Sequence, residues 1–103
     1  MNWQDLVDML QPQLPAGSVT TYAQVSLWGY DVPNRNHPVR SLLVGARNNG
    51  FQHLTNRVVG VNGELADLPH GPAQQRQQLE AEGIPFTADG RVDFTQILPV
   101  ALV

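Results

Sequence analysis

Apolar residues recur with helical spacing from the start of the chain. Four of them stand at positions i, i+3, i+4 and i+7 and predict one buried face of a helix: Trp3, Leu6, Val7 and Leu10. Asn2 is suited to cap this helix, and Pro12 and Pro15 predict its end.

Two more helices follow in the pattern. Thr21 and Gln24 have the spacing of a capping box, Thr-x-x-Gln, which predicts a short helix that ends at Gly29. Pro38 is suited to the first position of a third helix, residues 38–48, because a missing N–H is tolerated there. This third helix has an apolar stripe of the same spacing as the first: Val39, Leu42, Leu43 and Ala46.

Turn signals predict short strands and hairpins. A short strand is expected at Val19, before the second helix. The Asn62-Gly63 pair predicts a hairpin between a strand over residues 57–61 and a returning segment over residues 64–68. A second hairpin is expected at Asp89-Gly90, where Phe86 would be linked to Val92 and Phe94.

The predicted elements indicate one small domain. A further helix is expected from Gly71 to Glu82, closed by Gly83, and the apolar tail, residues 95–103, is suited to docking on the body or on a partner. Two short helices joined by a turn and followed by a hairpin are typical of DNA-binding domains whose second helix enters a groove. We therefore predict an α+β fold, a small winged helix-turn-helix-like single domain over residues 1–103.

The composition excludes several kinds of site. The chain has no cysteine, so it has no disulfide, thiolate metal ligand or cysteine nucleophile. His37, His53 and His70 lack the spacing of metal ligands, so neither a metal nor a cofactor is expected. There is no signal-peptide pattern and no run of about 18 apolar residues, so we expect a cytoplasmic protein without a membrane span.

Charge is distributed unevenly along the chain. Residues 32–63 contain four of the six arginines and none of the nine acidic residues, and carry +4; residues 1–31 carry −3 and residues 64–103 carry −4. Arg40 and Arg47 are seven residues apart on the third helix and are predicted to share a face beside its apolar stripe. A basic stripe on an acidic body is typical of a protein that binds nucleic-acid phosphates, and chance clustering is the alternative.

The order of several motifs resembles a known family. Residues 14–22 read Leu-Pro-x-Gly-x-Val-Thr-Thr-Tyr, and they are followed by the arginine-bearing helix, by Arg57-Val58-Val59 and by Leu-Glu-Ala-Glu-Gly at residues 79–83. Together they resemble the C-terminal DNA-binding domain of O6-alkylguanine-DNA alkyltransferases, and more closely the short alkyltransferase-like proteins. The resemblance spans residues 3–94.

The reactive motif of that family is altered here. The alkyltransferases have Pro-Cys-His-Arg-Val, with Trp in place of Cys in the alkyltransferase-like proteins, whereas this chain has Leu54-Thr55-Asn56-Arg57-Val58. A threonine hydroxyl is far less acidic than a thiol, and an asparagine cannot take the proton that the histidine would accept. We therefore predict that the protein is not an enzyme.

The resemblance implies which residues contact DNA. Tyr22 matches the tyrosine that crowds the phosphate beside the target nucleotide, and Arg40 matches the arginine that fills the vacancy in the base stack. The predicted DNA-binding residues are Thr21, Tyr22, Arg40, Arg47 and Arg57, and the predicted lesion-pocket residues are Tyr22, Thr55, Asn56 and Glu82. Other roles remain open: Tyr22 as a half-buried aromatic, Arg57 as an internal strut, and Thr55 and Asn56 as remnants of an abandoned site. Arg40 and Arg47 could likewise form a solvated helix face without binding DNA.

Two functions are therefore open. The first is a monomeric, non-enzymatic protein that flips O6-alkylguanine out of double-stranded DNA and, by resemblance, marks damage for nucleotide excision repair proteins. The second is a degenerate winged-helix domain that binds DNA non-specifically or serves protein interaction. Three or four phosphate contacts predict that log affinity falls against log salt with a slope of roughly −3, whereas a protein partner predicts no such slope for DNA.

Overall fold

The computed structural model describes residues 1–65 and 71–103. Its first helix is α1 (Trp3–Gln13). Asn2 caps it as predicted, and Asn2 and Asp5 each accept the other's N–H at 3.0 Å. Of the two prolines predicted to end the helix, Pro12 lies inside it, so that part is wrong, whereas α1 ends at Gln13 with Leu14 as its C-cap, directly before Pro15. The buried Leu14 holds this last turn, since its N–H donates to the carbonyl one turn back at 2.8 Å.

The second helix, α2 (Tyr22–Tyr30), begins where the Thr21 signal predicts. The Thr21 hydroxyl accepts from the Gln24 N–H at 3.2 Å. The Gln24 side chain accepts instead from a backbone N–H of the C-terminal tail at 3.2 Å. The helix runs past the predicted end at Gly29 and stops at Asp31, whose φ of 61° is a left-handed conformation that aspartate tolerates.

The third helix, α3 (Asn36–Asn48), starts two residues before the predicted position. Pro38 therefore lies within the first turn, where its missing N–H has no intrahelical partner to lose. A one-turn helix, α4 (Gln52–Thr55), follows after a short connection. Four residues are too few to show a helical period, which is why the pattern does not predict α4.

A parallel strand pair takes the place of the first predicted hairpin. Strand β1 (Thr20–Thr21), one residue beyond the predicted Val19, pairs with strand β2 (Val58–Val59). Both valines of β2 are fully buried, so this strand pairs inside the fold rather than at an exposed edge.

The turn that was expected to close that hairpin does form. The Gly60 N–H donates to the Glu64 carbonyl at 2.8 Å across Asn62-Gly63. Residues 61–65 are nevertheless not a strand, and residues 66–68 of the predicted return lie outside the described part of the chain.

The last helix forms one residue shorter than predicted, and the second hairpin forms with a bridge to Val92 but not to Phe94. Helix α5 (Gly71–Ala81) is followed by Gly83, whose φ of 84° is the left-handed conformation expected at a helix end. Phe86 and Val92 pair in antiparallel fashion around Asp89-Gly90.

The apolar tail docks on the body of the protein. The Val100 N–H donates to the Val19 carbonyl at 2.8 Å, and the Val100 carbonyl accepts from the Thr20 hydroxyl at 2.7 Å. The Gln13 side chain then pairs with both backbone groups of Val103 at 2.8 Å. Of the two roles expected for the tail, docking on the body is the one that the structure shows.

Two apolar clusters form the core of this α+β fold. The larger is built from α1, α3, α4 and parts of α2 and β2, and the smaller packs β2 against α5 and the second hairpin. Within the 98 residues spanning 1–65 and 71–103, no helix is long and apolar enough to cross a membrane.

Candidate nucleic-acid interface

The four arginines of the acid-free window do not form one exposed stripe. Arg35 and Arg40 are exposed, whereas Arg47 is only 5% exposed and Arg57 only 9%. The expected basic surface is therefore corrected to two exposed guanidinium groups near the start of α3, because the other two are covered by the fold.

Arg47 is held inside the protein by neutral oxygen atoms. Its Nη1 donates to Asn56 Oδ1 at 2.7 Å and to Thr55 Oγ1 at 3.4 Å, and its Nη2 donates to Gln74 Oε1 at 3.3 Å. Its buried Nε has no hydrogen-bond partner in the described part of the chain. Burial lowers the pKa of the Arg47 guanidinium, and the Coulombic interaction with Tyr22 opposes that shift.

Arg57 forms a mostly buried ion pair with Glu82. Its Nη2 lies 2.8 Å from Glu82 Oε2 and its Nε 3.0 Å from Glu82 Oε1, a two-pronged arrangement. Its Nη1 donates to the Leu14 carbonyl at 3.1 Å. Arg57 thus ties the segment after α5 to the end of α1, as its alternative role as a strut predicts.

The Glu82 carboxylate is satisfied from several sides. It also accepts from the Gly17 N–H at 3.3 Å and from the Gln78 amide at 3.1 Å. Burial by itself would raise the pKa of Glu82, but these hydrogen bonds, those from Arg57 and the Arg57 charge outweigh it, so the pKa lies below its ordinary value.

Three of the predicted lesion-pocket residues belong to one partly buried polar network. Asn56 donates to Gln78 Oε1 at 2.8 Å, and Gln78 reaches Glu82, so side chains connect Arg47 to Arg57 without a break. Thr55 is fully buried, and its hydroxyl donates to the Gln52 carbonyl at 3.1 Å. The groups around this hydroxyl are a guanidinium and a carbonyl, neither of which is a base that would activate a nucleophile.

The cleft beside Tyr22 has a different lining. It has a volume of about 480 Å³ and lies between the start of α2, the α2–α3 connection and the turn after β2. Its described lining is Tyr22, Ala23, Pro33, Asn34, Asn36, Gly60, Val61 and Glu64. Of the predicted pocket residues only Tyr22 lines this cleft, because Thr55, Asn56 and Glu82 are turned into the polar network.

A buried serine positions one wall of the cleft. The Ser26 hydroxyl donates to the Val32 carbonyl and accepts from the Arg35 N–H at 2.9 Å. These two bonds fix the connection between α2 and α3, and with it Pro33 and Asn34 at the cleft wall.

Glu64 brings a carboxylate to the opposite wall. Its Oε2 accepts from the Asn62 N–H at 3.4 Å, and the carboxylate lies against Gly60, where a Cβ atom would collide with it. No ion pair to Glu64 occurs within residues 1–65 and 71–103. The sequence-based site omitted this residue, although it is the first acid after the basic window and the Asn62-Gly63 turn places it beside Gly60.

The first residues of two helices line this cleft, and an exposed arginine follows one turn later on α3. Tyr22 begins α2 and Asn36 begins α3, so the first residue of each helix, where partial positive charge accumulates, borders the cleft. Arg40 stands four residues after Asn36, which places it one turn further on the same side of α3. Thr21, predicted to contact DNA, is 4% exposed and uses its hydroxyl as the α2 cap.

The described residues contain no cluster of side chains that could bind a metal ion. Within residues 1–65 and 71–103 no three His, Asp or Glu side chains come close enough to hold a metal ion. His70 lies outside these residues.

The fold is that of a known alkyltransferase-like protein. The crystal structure of S. pombe Atl1 in complex with damaged DNA containing O6-carboxymethylguanine matches with a TM-score of 0.66 and 20% sequence identity, over 91% of this chain and 90% of that one. No protein-family model and no curated protein matches the sequence. The resemblance drawn from the motifs is therefore confirmed at the level of the fold.

Proposed function

We propose that this protein recognises damaged bases in double-stranded DNA without catalysing a reaction. In this proposal α3 enters the minor groove, Arg40 takes the place of an extruded O6-alkylguanine, and the cleft beside Tyr22 receives the base. The protein acts as a cytoplasmic monomer, and the complex marks the lesion for nucleotide excision repair proteins, as the resemblance to alkyltransferase-like proteins implies.

The cleft at the start of α2 and α3, with exposed Arg40 one turn away, carries this proposal. Extruding a base costs a few kcal/mol, which must be offset by stacking and hydrogen bonds in a pocket. Tyr22 offers an aromatic ring, and Asn34, Asn36 and Glu64 offer hydrogen-bonding groups. The fold shared with a protein solved in complex with damaged DNA supports a DNA-binding role.

The chemistry of the neighbouring network supports a role without catalysis. The chain has no cysteine, and the Thr55 hydroxyl is fully buried against Arg47 and a backbone carbonyl. A hydroxyl in this setting has no general base to activate it for alkyl transfer.

Arg40→Ala tests the interface directly. We expect the affinity for a duplex with one O6-methylguanine to fall by about 1–2 kcal/mol, because the guanidinium no longer fills the gap in the base stack. Because Arg40 is exposed, the melting temperature should stay nearly unchanged. Fluorescence anisotropy titrations and thermal melts measure the two effects.

Arg76→Ala is the control for charge, since it removes the same charge from a half-buried position on α5, where Arg76 pairs with Glu80 and stacks on Phe86. It should lower the affinity much less than Arg40→Ala does. Equal effects of the two substitutions on DNA binding, or an equal loss of fold and binding in Arg40→Ala, would contradict the assignment.

The second candidate function is a degenerate domain for non-specific DNA binding or protein interaction. The burial of Arg47 and Arg57 favours it, because only two arginines of the basic window face solvent. A protein that binds O6-methylguanine duplex and unmodified duplex equally would fit this candidate rather than the first.

A further inference from the structure

We propose that the Glu64 carboxylate accepts a hydrogen bond from the exocyclic 2-amino group of an extruded purine. The cleft would then select bases that carry this group. The inference rests on the proposed function, since it requires a base in the cleft beside Tyr22.

An O6-alkylated guanine has a single hydrogen-bond donor that a pocket can recognise. Guanine presents O6 and N7 as acceptors and its 2-amino group as a donor. Alkylation at O6 removes the proton from N1, so the ring nitrogens and O6 of the lesion have only lone pairs. The 2-amino group is then the single donor of the base, and a pocket that holds the base must supply an acceptor for it.

Glu64 is the charged acceptor in the described lining of the cleft. The other polar side chains there, those of Tyr22, Asn34 and Asn36, are neutral. Hydrogen bonds to an ionised acceptor are roughly twice as strong as those between neutral groups. An amino group entering the cleft therefore gains most by meeting the Glu64 carboxylate.

The backbone holds this carboxylate in place. The Gly60 N–H donates to the Glu64 carbonyl at 2.8 Å, which closes the turn and brings the side chain back over Gly60. Gly60 has no Cβ, and an added Cβ would occupy the space that Glu64 Oε2 fills. Substitution of Gly60 therefore changes the position of the carboxylate, whereas substitution of Glu64 changes its charge.

Electrostatic repulsion between Glu64 and the DNA phosphates must be distinguished from recognition of the 2-amino group. A carboxylate near DNA repels phosphates and weakens the binding of every duplex by a similar factor. Specific recognition instead changes the ratio of affinities between two duplexes that differ only in the 2-amino group. The ratio is the quantity to measure.

The experiment titrates the protein with duplexes containing one O6-methylguanine or one O6-methylhypoxanthine, which lacks the 2-amino group. For the unsubstituted protein we expect about tenfold tighter binding of the O6-methylguanine duplex, as the loss of one charge-assisted hydrogen bond predicts. In Glu64→Ala the ratio should approach one. In Glu64→Gln, which keeps a neutral acceptor, it should be about threefold.

Two further variants serve as position and charge controls. Gly60→Ala keeps the charge but displaces the carboxylate, so the ratio should fall towards one. Glu80→Gln removes a carboxylate from an exposed position on α5 and should leave the ratio at about tenfold. Thermal melts of all variants report whether each remains folded.

The outcomes separate this inference from the proposed function. If the unsubstituted protein prefers O6-methylguanine over guanine but is indifferent to the 2-amino group, only the inference is overturned. The same holds if Glu64→Ala keeps the tenfold ratio, because another acceptor then reads the amino group. If the protein binds O6-methylguanine and guanine duplexes equally, the proposed function fails and the inference fails with it.

Discussion

Arg47 is a buried cation that helical spacing alone places at the surface. It stands seven residues after the exposed Arg40, so both lie on one side of α3. Thr55, Asn56 and Gln74 cover the C-terminal part of that side and accept hydrogen bonds from the guanidinium. Helical spacing shows which residues share a face but not which other elements cover that face, so the predicted exposure of Arg47 was wrong.

Arg57 and Glu82 form the buried ion pair of the network, and each has further bonds to the backbone. Leu14 accepts from Arg57, and Gly17 donates to Glu82, so the pair joins the end of α1 to the end of α5. Removing one partner leaves a mostly buried charge without compensation, which destabilises a protein more than an exposed pair stabilises it.

Glu82→Gln should lower the free energy of unfolding by about 2–3 kcal/mol at neutral pH, because it leaves the Arg57 charge unpaired. The effect depends on pH in a defined direction. The Glu82 pKa is lower in the folded protein than its ordinary value of 4.5, so the contribution is fully present above pH 4.5 and is lost as the pH falls through the folded pKa. Urea unfolding over a pH series measures this.

Glu80→Gln is the control for that series, since Glu80 forms an exposed pair with Arg76 on α5. It should change the stability by at most about 0.5 kcal/mol. The pKa of Asp89 is also lowered, mainly by its hydrogen bond with Thr87, and that of Asp93 mainly by its hydrogen bond with Thr95. Protonation of these two carboxylates therefore also contributes to the loss of stability in acid. A Glu82→Gln difference that stays constant in acid would show that the ion pair does not contribute as described.

At the scale of elements, the start of α2 depends on Thr21. Its backbone belongs to β1, paired with Val59, while its hydroxyl caps α2 by accepting from the Gln24 N–H. Tyr22, the next residue, is therefore placed at the cleft by a strand on one side and a capped helix on the other. A single threonine thus couples the sheet to the candidate site.

Thr21→Ala should destabilise the protein by about 1–2 kcal/mol, because the α2 cap is lost together with a buried methyl group. Thr21→Ser keeps the hydroxyl and should recover most of that loss. Urea denaturation of both variants provides the comparison. If serine and alanine destabilise the protein equally, packing of the methyl group rather than capping sets the role of Thr21.

At the scale of the whole molecule, folding reduces the basic surface that the sequence suggests. Residues 32–63 carry +4, but Arg47 and Arg57 are buried, which leaves Arg35 and Arg40 exposed. The number of phosphates that side chains can neutralise falls accordingly. We therefore expect a shallower slope than the value of roughly −3 expected from the sequence.

We expect log affinity for an unmodified duplex to fall against log salt with a slope of about −2, since two exposed arginines release about two counterions. Anisotropy titrations across a salt series measure the slope. Arg35→Ala and Arg40→Ala should each make it shallower by about one. A flat slope would favour a protein partner. A slope near −4 would require two further cations, either Arg47 and Arg57 released from their internal partners or Arg76 and Arg91, which lie outside the basic window.

Features that depend on residues close together in the chain could be predicted from the amino-acid order. The Asn2 and Thr21 caps, the apolar stripe of α3 and the turn at Gly83 are local, because their hydrogen bonds and periods lie within a few positions. The alkyltransferase-like fold followed from the order of motifs, and the fold of Atl1 bears it out.

The roles of the polar residues depend instead on contacts between elements that are far apart in the chain. Thr55 and Asn56 are adjacent in the sequence, but whether they face a cleft or a buried guanidinium depends on Arg47 and Gln74, which lie on other helices. The cleft beside Tyr22 acquires Glu64 because a parallel strand pair, rather than a hairpin, places the turn after β2 there. Such contacts join residues that are distant in the chain, and the pattern of residues along the sequence does not show which of them are close in space.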